Sequence, residues 1–169
     1  MKKGSWFVWP ELKKEISVEQ ESLKRLLCMH QPLIEKCRSV PPAPIELSEL
    51  SAMLHSFYTG IENLFKRVAV QIDGGPPDGD LWHSRLLEAM TKPAVSRPAL
   101  IFETLRDTLR SYLSFRHVFR HAYSFELQRT KMADLVLGVD RTLERLEEEL
   151  AVFAAQMARR SAAGPPSAQ

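Results

Sequence analysis

One short segment concentrates side chains that can act on a phosphodiester. Residues 115–124 read Phe-Arg-His-Val-Phe-Arg-His-Ala-Tyr-Ser and hold two of the five histidines. Histidine titrates near neutral pH and can move a proton, whereas a guanidinium keeps its charge and donates paired hydrogen bonds to phosphate oxygens. RNA carries its own nucleophile, the ribose 2′-hydroxyl. The segment therefore predicts metal-free RNA cleavage, with Arg116 at the phosphate and His121 as base or acid.

The spacing of these two residues limits how they can act together. On one continuous helix, Arg116 and His121 would point about 140° apart. They converge if the helix ends or turns between them, as is common for functional groups, or if two copies of the chain face each other. A two-fold axis would bring both copies of the segment together, so we predict a homodimer.

The same residues have simpler interpretations. Arg116 and His121 can be an ordinary surface pair. His117 and His121 lie four residues apart, as two metal ligands on a helix would, but the HExxH glutamate and a third ligand are missing. We therefore predict no metal and no cofactor. Tyr112 is expected in the core, and each remaining histidine is expected to be structural or at the surface: His30, His55 and His83.

Apolar residues recur at spacings of three and four, which predicts helices and no strand. The first helix is expected at residues 10–38, kinked or split by Pro32. The second covers about 50–72 and stops at the Gly74-Gly75-Pro76-Pro77 run. The expected third helix, 81–90, is capped by Asp80 and buries three residues: Trp82, Leu86 and Met90.

Two further helices complete the predicted fold. The fourth begins near Pro98 and turns four residues inward: Leu105, Leu109, Tyr112 and Leu113. The last covers about 130–160 and has the three-four alternation of a bundle seam. We predict an all-α antiparallel helix bundle, a single domain over residues 1–160, followed by a disordered tail at 161–169.

Composition and charge limit the class of protein. The 169 residues include 23 Lys+Arg and 21 Asp+Glu, and a net charge of +2 does not by itself predict nucleic-acid binding. Residues 97–131 hold seven basic and three acidic side chains, so a polyanion would be drawn there unless this is only a solvated helix face. Two cysteines, no signal peptide and no apolar run of 18 residues predict a cytoplasmic protein with reduced thiols and no membrane span.

The run from Arg116 through His121 to Tyr123 matches the Rx₄HxY motif of the HepT-like toxins of the HEPN superfamily. The resemblance extends over about residues 47–157. It implies a homodimeric endoribonuclease toxin in which both motif copies line one cleft, with His117 and Arg120 as supporting polar groups. It also implies a minimal nucleotidyltransferase antitoxin that transfers AMP to Tyr123.

Two other functions remain open on the sequence. A non-catalytic HEPN-type bundle could bind a nucleotide or the nucleotidyltransferase, although an intact Arg and His favour the enzyme. A plain helical interaction protein could carry the motif by accident. We identify no family resemblance for residues 1–39, and the RNA substrate is not predicted.

Overall fold

The computed structural model describes residues 5–119 and 128–162. These residues form five α-helices: α1 (Ser5–Lys36), α2 (Pro44–Val68), α3 (Trp82–Met90), α4 (Glu103–Phe119) and α5 (Gln128–Ala162). The described residues contain no strand, only an isolated bridge between Ala94 and Arg97. The all-α prediction is confirmed.

Polar contacts along the helices give their relative directions. In each of three packed pairs, residues early in one helix meet residues late in the other. The contacts are Glu15–Arg67 and His30–Glu49 between α1 and α2, Lys24–Glu147 and Gln31–Asp140 between α1 and α5, and Arg145–Thr104 and Tyr112–Leu135 between α5 and α4. Each of these pairs is therefore antiparallel, as the sequence predicts.

The core follows the predicted apolar periodicity. The eight apolar residues at three-four spacing on α5 are all buried, and so are the four predicted on α4: Met132, Val136, Val139, Leu143, Leu146, Leu150, Phe153 and Met157, then Leu105, Leu109, Tyr112 and Leu113. Trp9 of α1 packs edge-on against Phe153, with ring centroids 5.7 Å apart. The N-terminal helix α1 thus packs into the same core as α5.

Of the two effects predicted for Pro32, a split of the first helix is wrong and a kink stays a prediction. α1 begins at Ser5 and runs without interruption to Lys36, with Pro10 and Pro32 inside it. A proline removes one backbone donor and crowds the preceding turn. Burial of Leu27 and Ile34 on either side of Pro32 ties this turn to the core, and that tertiary packing keeps the helix continuous.

The connections around α3 are partly as predicted. α2 continues into a π-helical turn, Ala69–Asp73, which ends at Gly74 with φ 94°, a left-handed conformation that glycine adopts without strain. The expected cap by Asp80 is wrong, because Leu81 precedes α3 and no side chain caps it. α4 starts at Glu103 rather than near Pro98. The residues before it make tertiary contacts instead of helical ones: Arg97 is buried, and the Phe102 amide donates a hydrogen bond of 2.7 Å to Glu149.

None of the described helices is both long and apolar enough to cross a membrane. Both cysteines are unpaired; Cys28 is exposed and Cys37 is half-buried.

Candidate functional site

A buried carboxylate joins three helices at one end of α4. Glu62 of α2 is 2 % exposed, and its Oε2 accepts a hydrogen bond of 2.8 Å from Nη1 of Arg116 on α4. The same oxygen contacts Nδ1 of His83 on α3. One turn along α2, Lys66 places Nζ 3.4 Å from the other carboxylate oxygen. We call Glu62, Lys66, His83 and Arg116 the Glu62 cluster.

The local sequence explains how each side chain reaches this point. Glu62 and Lys66 are four residues apart and therefore share one face of α2. His83 lies in the first turn of α3, and the helix is fixed by burial of Leu86, Leu87 and Met90. Arg116 follows the buried Phe115 in the last described turn of α4. Apolar packing thus fixes the positions of α2, α3 and α4. The polar side chains of the cluster then meet where these helices adjoin.

The cluster keeps its carboxylate ionised. Burial alone would raise the pKa of Glu62, but the hydrogen bonds from His83 and Arg116 and the Arg116 charge outweigh it, so the pKa lies below the ordinary value. Tyr58, one turn earlier on α2, has its pKa raised by burial and by the Glu62 charge, so its phenol stays neutral. The Glu62 cluster therefore contains one anion, Glu62, and two cations, Arg116 and Lys66. Its net charge is positive.

Aromatic rings border the cluster. The rings of Trp82 and His83 are stacked, with centroids 3.7 Å apart, and the Lys66 ammonium lies 4.5 Å from the Trp82 ring centroid. His117, exposed on α4, meets His83 edge-on at 5.5 Å. Trp82, predicted to point inward, is half-buried and packs against the core. The His117 imidazole and the Trp82 indole thus border the Glu62 cluster.

The hydrogen-bond donors of Arg116 are only partly matched by the described residues. A guanidinium has five N–H groups, and the contact with Glu62 uses Nη1. Nε is buried and has no hydrogen-bond acceptor among the described residues. Arg116 is thus held on one side by a carboxylate while part of its hydrogen-bonding capacity is unused by the described part of the chain.

The basic segment 97–131 is less available than its charge suggests. Arg97 is 1 % exposed and donates from Nη2 to Asp73 at 2.7 Å and from Nη1 to the Lys92 carbonyl at 3.1 Å. Arg106 and Arg110 both pair with Glu88. Asp73, Glu88 and Asp107 pair with these three arginines and lower the charge that they offer to a polyanion, and the attraction of a polyanion to the segment stays a prediction.

The structure places only part of the predicted site. Arg116 and His117 lie together at the described end of α4. Arg120, His121 and Tyr123 fall outside the described residues, so their convergence with Arg116 stays a prediction. Within residues 5–119 and 128–162, no three His, Cys, Asp or Glu side chains are grouped to hold a metal ion. Tyr112 is a core residue, as predicted, and its hydroxyl donates to the Leu135 carbonyl at 2.9 Å.

Sequence reasoning missed Glu62 and His83. Glu62 stands among the apolar residues that define the buried face of α2, and an acidic residue at such a position signals a buried partner. His83 gives no comparable signal, because its partners lie 21 and 33 residues away in sequence.

A cavity of about 350 Å³ lies apart from this cluster, where α2, α5 and the turn after α1 meet. Its lining is largely apolar and includes Val40, Leu47, Met132 and Val136. The lining also includes Arg38 and Ser39.

Comparison with family models places part of the chain in a known family. A family model described as "HepT-like protein" matches residues 49–157, more than half of the chain, and the matched part contains α3, α4, the Glu62 cluster and the Arg116-to-Tyr123 motif. Searches of curated proteins and of solved structures find no match.

Proposed function

Because this chain belongs to the HepT-like family, we propose that it is the endoribonuclease toxin of a toxin–antitoxin system. The observation that carries the proposal is the position of Arg116. A buried carboxylate fixes this motif arginine beside two histidines, which is an arrangement suited to a phosphate that undergoes proton transfer.

The proposed reaction is attack of the 2′-hydroxyl on the adjacent phosphorus. Arg116 donates to the phosphate oxygens as negative charge develops on them. His121 moves a proton as base or acid, and His117 and Arg120 support the site. A positioned proton carrier contributes roughly 10²–10⁴-fold and a well-placed donor about 10²–10³-fold, so these residues supply much of a modest nuclease rate.

Cleavage of a fluorescent single-stranded RNA by the purified full-length chain tests this function. Arg116→Ala should lower the rate about 10²–10³-fold, whereas Arg38→Ala, which removes an exposed arginine paired with Glu35, should leave it unchanged. EDTA should have no effect, because the 2′-hydroxyl needs no metal-bound water. Equal cleavage by the wild-type chain and Arg116→Ala would contradict the proposal. RNA binding without cleavage would favour a non-catalytic binding bundle.

Regulation is proposed to depend on Tyr123 and a partner. A minimal nucleotidyltransferase antitoxin would transfer AMP to the Tyr123 hydroxyl, and the added phosphate would compete with RNA for nearby arginines. We also propose that the chain acts in the cytoplasm as a homodimer whose two motif copies line one cleft.

A further inference from the structure

The proposed cleavage needs two proton transfers, one from the 2′-hydroxyl and one to the leaving 5′-oxygen. Within the Rx₄HxY pattern, His121 supplies one carrier. We propose that His83 of α3 is the second catalytic residue and acts as the general base. This inference rests on the proposed function and adds to it a residue outside the motif segment.

The contact with Glu62 fixes the tautomer of the His83 ring. Glu62 is ionised and can only accept hydrogen bonds, so the Nδ1 atom that contacts it must carry the hydrogen. The neutral ring then has its lone pair on Nε2. A carboxylate behind Nδ1 is the arrangement by which catalytic histidines are oriented as bases.

His83 also lies close to Arg116, the proposed phosphate-binding residue. His83 Nδ1 lies 3.5 Å from Nη1 of Arg116, and both nitrogens face the same Glu62 oxygen. One carboxylate therefore fixes the anion-binding group and the imidazole relative to each other. The His83 side chain is 13 % exposed, so the ring is held but not sealed from solvent.

A second histidine–glutamate pair in the chain lacks these properties. His30 places Nε2 2.9 Å from Glu49, but its Nδ1 is 2.8 Å from the Leu26 carbonyl oxygen. Both ring nitrogens thus face acceptors, and no lone pair is available to a substrate. The side chain of His30 is also 13 % exposed, which makes it a matched control.

The proposed cleavage moves one proton to His83 and one proton from His121. Nε2 of His83 takes the 2′-hydroxyl proton as the O2′–P bond forms, and the P–O5′ bond breaks with its electron pair on O5′. His121 supplies a proton to O5′, which leaves a 2′,3′-cyclic phosphate and a 5′-hydroxyl. Among the described residues, Glu62 on α2 and Arg116 and His117 on α4 face His83, and Lys66 on α2 pairs with Glu62.

The test compares His83→Gln and His30→Gln in the full-length chain, with a fluorescent mixed-sequence single-stranded RNA as substrate. His83→Gln should lower kcat/KM about 10²–10⁴-fold and abolish the rise of the rate with pH that reports the base. The Kd for the same RNA with a 2′-deoxy scissile nucleotide should not change. His30→Gln should keep the rate and the pH profile.

The outcomes separate this inference from the proposed function. If the wild-type chain cleaves but His83→Gln retains its rate and pH profile, His83 is not the base and the ribonuclease function stands. If the wild-type chain and Arg116→Ala are equally inactive, both fall. NMR of the wild-type chain avoids dependence on the folding of a variant: the 2′-deoxy RNA should shift the His83 ring signals and not those of His30, and unmoved His83 signals would overturn the inference.

Discussion

Glu62 is the residue on which the geometry of the site depends. Its carboxylate is buried and faces Arg116, His83 and Lys66, so it must be ionised to match them. Removing one partner of a buried pair leaves an uncompensated charge, which costs about 3–5 kcal/mol. Glu62 therefore contributes to both stability and placement of Arg116.

We predict that Glu62→Ala lowers the free energy of unfolding by about 3–5 kcal/mol, whereas Glu49→Ala, which removes an exposed carboxylate, changes it by about 1 kcal/mol or less. Urea unfolding followed by circular dichroism measures both. A Glu62→Ala chain as stable as the wild type would show that the buried contacts contribute nothing net.

The lowered pKa of Glu62 also predicts a pH dependence. A carboxyl whose pKa is lower when folded stabilises the protein above its unfolded pKa, and this contribution is lost as pH falls through the folded value. Wild-type stability should thus decline in acid more steeply than that of Glu62→Gln. Urea unfolding at a series of acidic pH values checks this; parallel declines would contradict it.

Tyr123 carries the prediction on regulation. Tyr123→Phe lacks the hydroxyl that accepts AMP but keeps the ring, so it should retain most of the cleavage while escaping the nucleotidyltransferase. Intact mass spectrometry after co-expression with the partner measures the AMP additions. Additions that persist in Tyr123→Phe would exclude this tyrosine as the acceptor, and a loss of cleavage as large as in His121→Ala would make it catalytic.

At the scale of elements, α3 is short and depends on its connections to hold His83. Arg97 fixes the connection that follows α3: it donates to the carbonyls of Ala89 and Lys92 and forms a bidentate pair with Asp73, which follows α2. The charge of Arg97 is thus structural. Its hydrogen bonds join the segment before α3, at Asp73, to the end of α3 and the turn after it, at Ala89 and Lys92.

Arg97→Met should therefore lower stability by about 3–5 kcal/mol, because Asp73 and the carbonyls near the end of α3 lose their buried donor. Arg38→Met, at an exposed position on the turn after α1, is the control. Thermal unfolding measures the difference, and equal melting temperatures for the two variants would contradict a structural role of Arg97.

At the scale of the whole molecule, the homodimer is the main prediction. Two-fold symmetry would bring two motif segments into one cleft and so allow Arg116 of one copy to work with His121 of the other. Light scattering at micromolar concentration should give the mass of two chains. A monomeric mass together with undiminished RNA cleavage would exclude the shared cleft.

The sequence alone determined much of the bundle. Apolar residues repeat at helical spacing on α4 and α5, and every residue of these two sets is buried. Burial of one helix face is a local property of the sequence, because the helix geometry fixes which residues share a face. The motif also identified Arg116 as a site residue, since its type and spacing are written in one short segment.

Only the tertiary structure decided which polar side chains meet. Arg116 and Glu62 are 54 residues apart, and Arg116 and His83 are 33 apart. Periodicity predicts the buried face of each helix but not the neighbour that covers it, so neither the Glu62 cluster nor the burial of Arg97 could be read from the chain. The continuity of α1 through Pro32 has the same origin, because packing against the core outweighs the local preference of proline.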